Sequence, residues 1–276
     1  MIYRTILNHV ILLFGVFIML SPILLIFFSS SQSTSDLRTS GMQFEFGNHL
    51  VQNYNSVLNF ESGFTDEITP MGMLSNSLII AIGVGVLTTL LSFFTAYSIV
   101  FFKYKSANII FWLVLSTLLF PLEARFIPTF QIASYLGLIN THLGIILPVI
   151  AAALGTFFFR QYFLSLPEEL LEAALLDGAG SFKFALDILI PLSLSRAAAI
   201  FIIAFMIGWN QYLWPIMIST DDTLYTLVRG IRFIGQGSGT SMAFTIITIA
   251  PPFILVLIFQ RWFFSGLGVE NKLSQK

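Results

Sequence analysis

The chain has 276 residues, of which 56% are hydrophobic and only 10% carry a charge, whereas about a quarter of the residues in an ordinary soluble domain are charged. This apolar excess excludes an ordinary water-soluble domain and indicates that much of the surface faces a lipid bilayer. The net charge of −1 gives no electrostatic basis for nucleic-acid binding, and the lack of cysteine excludes disulfides, thiolate metal sites and cysteine nucleophiles.

Six apolar stretches are long enough, or nearly so, to cross a bilayer, whose roughly 30 Å hydrocarbon core needs about 20 residues of helix. In chain order they are residues 10–28, 77–102, 107–120, 143–159, 197–214 and 242–259, and the third of them is short. The first is longer than the core of a secretory signal, so we expect a retained helix. Because an open strand would leave backbone amides unpaired in lipid, we predict an all-α, polytopic membrane protein with six transmembrane helices. We expect one domain over residues 1–276.

Basic residues are distributed unevenly between the connecting loops. If the N-terminus is inside, nine lysines and arginines fall on the cytoplasmic side and four on the outer side. Since lysine and arginine favour the cytoplasmic side, we predict that both termini are cytoplasmic. The two long connections are then an outer loop over residues 29–76, part of which is expected to fold, and a cytoplasmic loop over residues 160–196.

The cytoplasmic loop is predicted to form a short helix, a turn and a second helical piece. Ser165 followed by Glu168 is the pattern of a capping box, and Gly178 permits the left-handed turn that ends the first helix. Pro191 is expected to stop the second piece. Three acids of the first helix share one face: Glu168, Glu169 and Glu172. This acidic face either stabilises the positive end of the helix dipole or fits a basic pocket on another chain.

The same loop contains a four-part pattern with fixed gaps: Glu172-Ala173-Ala174, Gly178, and the run from Ile188 to Pro191. It resembles the Glu-Ala-Ala loop of ABC-importer permeases, whose pattern is Glu-Ala-Ala-x3-Gly-x9-Ile-x-Leu-Pro, and the only departure is Ile190 in place of leucine. In that family the loop is a coupling helix that docks into a cleft on the ATPase subunit. The resemblance implies that Glu172 pairs with a basic residue there and that Gly178 forms the turn. The implied ATPase-coupling residues are Glu172, Ala173, Ala174, Asp177, Gly178 and Pro191.

The resemblance covers most of the chain, and within the carbohydrate-uptake branch of the family it is closest to the second permease subunits of sn-glycerol-3-phosphate importers. The further stretches that carry it are residues 120–128, 159–161, 208–215, 230–231 and 251–261. It implies an ATP-driven importer in the inner (cytoplasmic) membrane of a bacterium. The implied solute is sn-glycerol 3-phosphate or a glycerophosphodiester, and the alternative is a neutral sugar such as maltose or an oligosaccharide.

The resemblance also implies the partners of the chain. They are a second permease subunit, an ATPase homodimer and an extracytoplasmic solute-binding protein. The sequence has no Gly-Lys dipeptide and therefore no Walker A phosphate loop. ATP and magnesium are accordingly expected on the ATPase subunits, and we expect this chain to have no catalytic residue, metal site or cofactor of its own.

Polar residues near the outer end of the fifth span are candidates for the solute pathway. Amides in a span are costly unless they bond a neighbouring helix or face a wet cavity. Asn210 and Gln211, beside Trp209, therefore either join helices or line the pathway. Arginine suits a phosphate ester because its planar fork matches phosphate oxygens. The candidates on the outer side, which could also be solvated residues paired with neighbouring acids, are Arg125, Arg229 and Arg232.

Three other functional classes fit the sequence less well. A membrane enzyme would need clustered catalytic groups, but His9, His49 and His142 are scattered and no metal-binding or paired-carboxylate pattern accompanies them. An ion-coupled carrier typically places acids inside its spans, and no predicted span interior contains Asp or Glu. A stand-alone channel fits the composition but does not explain the Glu-Ala-Ala loop.

Overall fold

The structure, a computed structural model, describes residues 2–59, 68–121, 123–151, 153–232, 234 and 237–266. Every regular element in these ranges is helical, which confirms the all-α prediction. The α-helices are α1 Ile2–Ser29, α2 Thr34–Ser40, α3 Leu50–Leu58, α4 Pro70–Phe101, α5 Ala107–Ser116, α6 Phe126–Tyr135, α7 His142–Ile146, α8 Ala153–Leu164, α9 Glu169–Leu176, α10 Ser181–Lys183, α11 Ile190–Trp209, α12 Leu213–Ile218, α13 Leu227–Gly230 and α14 Gly239–Gly266. The remaining helical segments are the 3-10 turns Thr117–Leu119, Glu123–Arg125, Leu147–Val149 and Asp222–Leu224 and the π-helical segment Phe184–Leu189.

Several helices in the described ranges are long and apolar enough to cross a membrane. There are four, corresponding to the first, second, fifth and sixth predicted spans: Thr5–Ser29, Pro70–Phe101, Ser181–Trp209 and Gly239–Phe263. The third predicted span is a shorter apolar helix, Ala107–Leu119. The fourth is a pair of helices, His142–Val149 and Ala153–Leu164, bent by 49°. Counting that pair as one span gives five, so the six-span topology stays a prediction.

The chain divides into two compact units, residues 1–74 with 225–251 and residues 75–224 with 252–276. The single domain expected over residues 1–276 stays a prediction. In the first unit, α1 carries apolar side chains that are exposed along most of its length, and none of its membrane-crossing window is buried. The mean hydropathy of that window is 2.9, which suits contact with lipid or with another apolar surface.

The described part of the predicted outer loop folds within the first unit. Asn53 on α3 donates its side-chain amide to the carbonyl oxygens of Ser30, at 2.8 Å, and Gln32, at 2.9 Å. Gly47 donates its backbone N–H to the Ser31 hydroxyl at 2.7 Å. Since buried polar groups need such partners, these bonds hold the segment after α1 against α3. This confirms that part of the outer loop is folded, whereas residues 60–67 lie outside the described residues.

In the second unit, α4 and α11 approach closely because small residues lie at their contact. A Cβ on Gly85 would lie 2.7 Å from the ring of Phe201, and a Cβ on Gly208 would lie 3.0 Å from the Cα of Ala81. Small residues let helices pack by van der Waals contact in lipid, where apolar surface alone gives no driving force. Gly208 is one residue before the end of α11, so the close contact with α4 extends to the last turn of that helix.

Candidate functional site

The Glu-Ala-Ala segment forms α9, and its start differs from the predicted capping box. The Ser165 hydroxyl donates to the carbonyl of Tyr162 at 2.7 Å, next to the end of α8. Glu168 is the N-cap of α9 and makes no side-chain capping bond, while its carboxylate lies 3.8 Å from Nζ of Lys103. The capping-box prediction is wrong because Ser165 donates both its hydroxyl and its backbone N–H to the Tyr162 carbonyl, in the last turn of the preceding helix.

The end of α9 agrees with the prediction for Gly178. Its φ is +76°, in the left-handed region that glycine adopts without steric cost. The Gly178 N–H donates to the carbonyl of Leu175 at 3.0 Å, and the Ala179 N–H donates to that of Ala174 at 2.9 Å. This pair of bonds is the Schellman motif, which satisfies the last carbonyls of a helix. The left-handed turn is confirmed.

The two faces of α9 have opposite surroundings. Ala174, only 4% exposed, is buried in a cluster of aromatic side chains, and Leu170 and Leu171 pack partly buried against the same cluster. The acids at residues 168, 169 and 172 are exposed, as are the apolar side chains of Leu175 and Leu176 and the carboxyl group of Asp177. The Glu-Ala-Ala motif therefore has one inward anchor, while its other members and the following leucines form an open acidic and apolar surface.

Pro191 does not stop the second helical piece as predicted. The chain is helical from Ser181 to Trp209, and the six residues Phe184–Leu189 before Pro191 form a π-helical segment. The N–H of Ile190 donates to the carbonyl of Ala185, five residues earlier. Proline lacks an N–H and clashes with a carbonyl four residues before it in a regular α-helix. The wider π-turn relieves this conflict and keeps the helix continuous.

An aromatic cluster fixes the segment from α9 to the π-helical residues against α4. The Tyr97 hydroxyl donates to the carbonyl of Ser181 at 2.7 Å. The rings of Phe101 and Phe184 lie 5.3 Å apart between centroids, and Phe93 contacts Phe159 at 5.4 Å. Edge-to-face pairs at such distances are favourable. These anchors were missed in the sequence, where the only signal is the helical spacing of aromatic residues near the end of α4.

The fifth predicted span ends earlier than the sequence indicates. Helix α11 ends at Trp209 and α12 begins at Leu213, so Asn210 and Gln211 lie in a break and not inside a span. Pro215 explains the break, because in a continuous helix its ring would clash with the carbonyl of Gln211. Backbone that leaves the helix at membrane depth is tolerated where it is buried in protein or lines a cavity.

A cavity of about 290 Å³ lies beside this break. Its lining residues come from the start of α6, the turn after α7, and the break between α11 and α12. They are Arg125, Phe126, Thr129, Pro148, Val149, Ile207, Asn210, Gln211, Tyr212, Leu213 and Trp214. The structure thus brings three predicted pathway residues, Arg125, Asn210 and Gln211, to one cavity.

The walls of the cavity are held by contacts of Trp214. Its indole N–H donates to the carbonyl of Gly144 at 3.1 Å, and its ring lies 5.6 Å from that of Phe126. Beyond α12, Asn140 accepts a hydrogen bond from the N–H of Thr220 at 2.8 Å. These bonds fix both ends of the short helix that forms one side of the cavity.

The other predicted pathway residues lie elsewhere. Trp209 is 2% exposed and stacks on Phe205 at 5.8 Å, so it belongs to the packed core of the second unit. In the first unit, the guanidinium of Arg229 lies 3.6 Å from the centre of the Tyr225 ring, and Arg232 is exposed. None of the three lines the cavity described above.

A family model described as "Binding-protein-dependent transport system inner membrane component" matches residues 68–268, which is more than half of the chain. The chain belongs to this family. The match includes both the Glu-Ala-Ala segment around α9 and the break that contains Asn210. It begins after α1, α2 and α3, so these helices lie outside it.

Curated relatives align with the chain over nearly its whole length. The sn-glycerol-3-phosphate transport system permease protein UgpE of Yersinia pestis is 41% identical over 271 residues, covering 96% of both chains. The proteins of the same name from Brucella melitensis and Rhizobium meliloti are 37% and 38% identical over 274 residues, again covering 96% of both chains. Membership of this inner membrane component family makes the chain a permease subunit of a transport system, as the Glu-Ala-Ala loop indicated.

A solved structure shares the fold of this inner membrane component. One chain of a bacterial ABC transporter involved in the import of the acidic polysaccharide alginate matches with a TM-score of 0.79 and 22% identity. The match covers 95% of this chain and 96% of that chain. The likeness concerns the fold alone, and that fold is the one of an ABC importer permease.

Proposed function

We propose that the chain is one of two permease subunits of an ATP-driven, binding-protein-dependent importer that carries sn-glycerol 3-phosphate or glycerophosphodiesters into the bacterial cytoplasm. The names of the relatives, which are 37–41% identical to this chain, support this solute. In the proposed complex, a second permease completes the pathway, an ATPase homodimer binds ATP and magnesium, and an extracytoplasmic protein delivers the solute. The chain itself is not an enzyme.

In this proposal the chain crosses the membrane six times with both termini in the cytoplasm. The bent pair His142–Val149 and Ala153–Leu164 is the fourth span, and the apolar helix Ala107–Leu119 is the third. The third is short, since about 20 residues of helix span the hydrocarbon core. This topology puts α9 on the cytoplasmic side, where the ATPase subunits are.

The observation that supports this function best is the division of α9 into an anchored face and an open face. Ala174 is buried in the aromatic cluster, whereas Glu172, Ala173 and Asp177 are exposed. We assign the open face to a cleft on the ATPase subunit, with Glu172 opposite a basic residue. Because Tyr97 and the aromatic cluster tie this segment to α4, a push on α9 is carried into the transmembrane helices.

The same push reaches the cavity through α11. The helical path is continuous from Ser181 to Trp209, so a displacement at its cytoplasmic end is transmitted to the break at Asn210 and Gln211. We assign these two amides and Arg125 to the solute pathway. Trp209, Arg229 and Arg232 remain proposed pathway residues.

Charge reversal at Glu172 tests the coupling role. In liposomes that contain the whole complex, Glu172→Lys is expected to abolish solute uptake, while the subunit still inserts and ATP is still hydrolysed. The matched control is Glu45→Lys, which reverses an exposed acid on the predicted outer loop and is expected to leave uptake unchanged. Normal uptake by Glu172→Lys would show that α9 does not couple to the ATPase.

Competition identifies the solute. Uptake of radiolabelled glycerol 3-phosphate by the complex is expected to fall when unlabelled glycerol 3-phosphate is added and to be insensitive to maltose. Uptake of labelled maltose, competed by maltose alone, would instead support the neutral-sugar alternative.

A further inference from the structure

We propose that Arg125 and Gln211 form an anion-selecting site inside the cavity of the second unit, so that the permease tests the charge of the solute itself. The ligand is a small phosphate monoester, and this inference rests on the proposed function. It adds a second point of selection after the delivering protein, at a position inside the translocation pathway.

Arg125 is the cation of this site. It lines the cavity, and none of the described residues forms a hydrogen bond, ion pair or ring contact with its guanidinium. Two other arginines of the same unit are occupied: Arg160 lies 4.0 Å from the Phe111 ring centre and Arg196 lies 3.8 Å from that of Tyr162. A guanidinium is always charged and binds phosphate oxygens in pairs. Arg125 therefore brings to the cavity a guanidinium whose donors are available to an anion.

Gln211 contributes a second group that needs a ligand. It lines the cavity, yet both its side-chain nitrogen and oxygen are buried without a hydrogen-bond partner among the described residues. A buried amide that lacks partners carries a desolvation cost, so a ligand that bonds this amide is favoured. A rotation of the side chain would offer its N–H groups and its oxygen to the phosphate or hydroxyl groups of a bound solute.

The size and walls of the cavity set the class of ligand. A volume of about 290 Å³ is just below the range for small-molecule sites, which begins at about 300 Å³. Phe126 and Trp214 form apolar walls, and a low-dielectric surrounding strengthens the attraction between a guanidinium and an anion. These features favour a compact phosphate ester.

Substitutions at Arg125 test the site in the whole complex, reconstituted in liposomes with its ATPase and binding protein. Arg125→Gln is expected to lower uptake of glycerol 3-phosphate by about 10- to 100-fold, as for loss of a charged hydrogen bond, while ATP hydrolysis is still stimulated by the loaded binding protein. Arg125→Lys keeps the positive charge but loses the planar guanidinium that bonds two phosphate oxygens at once. Its uptake should lie between those of the wild type and Arg125→Gln. The control Arg38→Gln, an exposed arginine of α2, should match the wild type.

The outcomes separate this inference from the proposed function. If the wild-type complex carries glycerol 3-phosphate and Arg125→Gln carries it equally well, the anion site is refuted and the proposed function stands. If the wild type carries only a neutral sugar, both fail. Equal losses in Arg125→Gln and Arg125→Lys, with normal ATP hydrolysis, would also refute a role for charge.

Gln211→Leu tests the role of the Gln211 amide by two measurements, the thermal unfolding of the complex and the uptake of solute, which are expected to change in opposite directions. Leucine has a similar size and no unpaired amide, so the midpoint of thermal unfolding of the complex is expected to stay equal or rise. Uptake of glycerol 3-phosphate should fall by about 2- to 10-fold, as for one hydrogen bond. A lower midpoint with unchanged uptake would show that the amide serves only the fold, and would overturn its assignment.

Discussion

Two prolines mark opposite ends of the same helical path and have opposite effects on it. Before Pro191 the helix widens into the π-helical segment Phe184–Leu189 and continues without interruption. Before Pro215 the helix ends at Trp209, and a new one begins only at Leu213. The chain is therefore continuous where it leaves the Glu-Ala-Ala segment and broken where it meets the cavity.

The difference follows from what surrounds each proline. Around Pro191 the aromatic cluster holds the π-helical segment, with Phe184 1% exposed and Leu189 fully buried. Around Pro215 the backbone borders a cavity, and Asn210 and Gln211 line it. Continuity suits a segment that transmits displacement, and a break suits a place where polar groups must reach a solute.

The largest effect is expected from Pro215→Ala. Alanine lets α11 extend through the break, which would turn Asn210 and Gln211 away from the cavity. Uptake should fall on the order of 100-fold, the loss that a misplaced functional group can cause, while ATP hydrolysis persists. The matched variant Pro191→Ala should lose much less, since its segment is already helical. A greater loss of uptake in Pro191→Ala than in Pro215→Ala would show that the break at Pro215 is not the more important feature for transport.

A smaller loss is expected from Gly178→Val. Valine at a φ of +76° is strained by about 1–3 kcal/mol, so the turn after α9 should shift and uptake should fall about 10-fold. Gly180→Val is the control, because Gly180 has a φ of −70° and, like Gly178, has open space around its Cα. The check is uptake per ATP hydrolysed in liposomes. Equal uptake per ATP in Gly178→Val and Gly180→Val would show that the turn at Gly178 has no role in coupling.

Tyr97→Phe should have a moderate effect. It removes the hydroxyl that bonds the Ser181 carbonyl at 2.7 Å and leaves the ring packed. A net cost of about 0.5–1.5 kcal/mol should lower both the unfolding midpoint and uptake per ATP slightly. Tyr135→Phe, at a side chain that is 91% exposed, is the control and should change neither. Unchanged coupling in Tyr97→Phe would mean that the aromatic rings alone hold the segment.

Lys103→Ala should have the smallest effect. The ion pair with Glu168 spans 3.8 Å, but the two side chains are 73% and 85% exposed. Exposed pairs are screened by water and salt and contribute from nothing to about 1 kcal/mol. Uptake should therefore stay within about twofold of the wild type at physiological ionic strength. A large loss would show that Lys103 contacts a partner subunit directly.

Features set by local chemistry could be predicted from the sequence. The turn at Gly178 depends on the freedom of one glycine, and the exposed acids of α9 follow from helical spacing, so both agree with the structure. The family could be recognised from the Glu-Ala-Ala loop because its spacing is fixed.

Features set by competition between partners could not be predicted. Ser165 had two possible partners and bonds the earlier helix. Pro191 and Pro215 have the same local chemistry, and only the packing around each decides between a π-turn and a break. The cavity joins Arg125 to Gln211 across a separation in sequence that periodicity cannot bridge.

The most direct test of the central claim, that α9 is the cytoplasmic contact with the ATPase, is the accessibility of one introduced thiol. The chain has no cysteine, so Ala173→Cys, on the exposed face of α9, would be its single thiol. A membrane-impermeant thiol reagent is expected to label it in inside-out vesicles and not in intact cells, and bound ATPase subunits should protect it. Labelling from the outer side, or labelling that the ATPase leaves unchanged, would contradict the account.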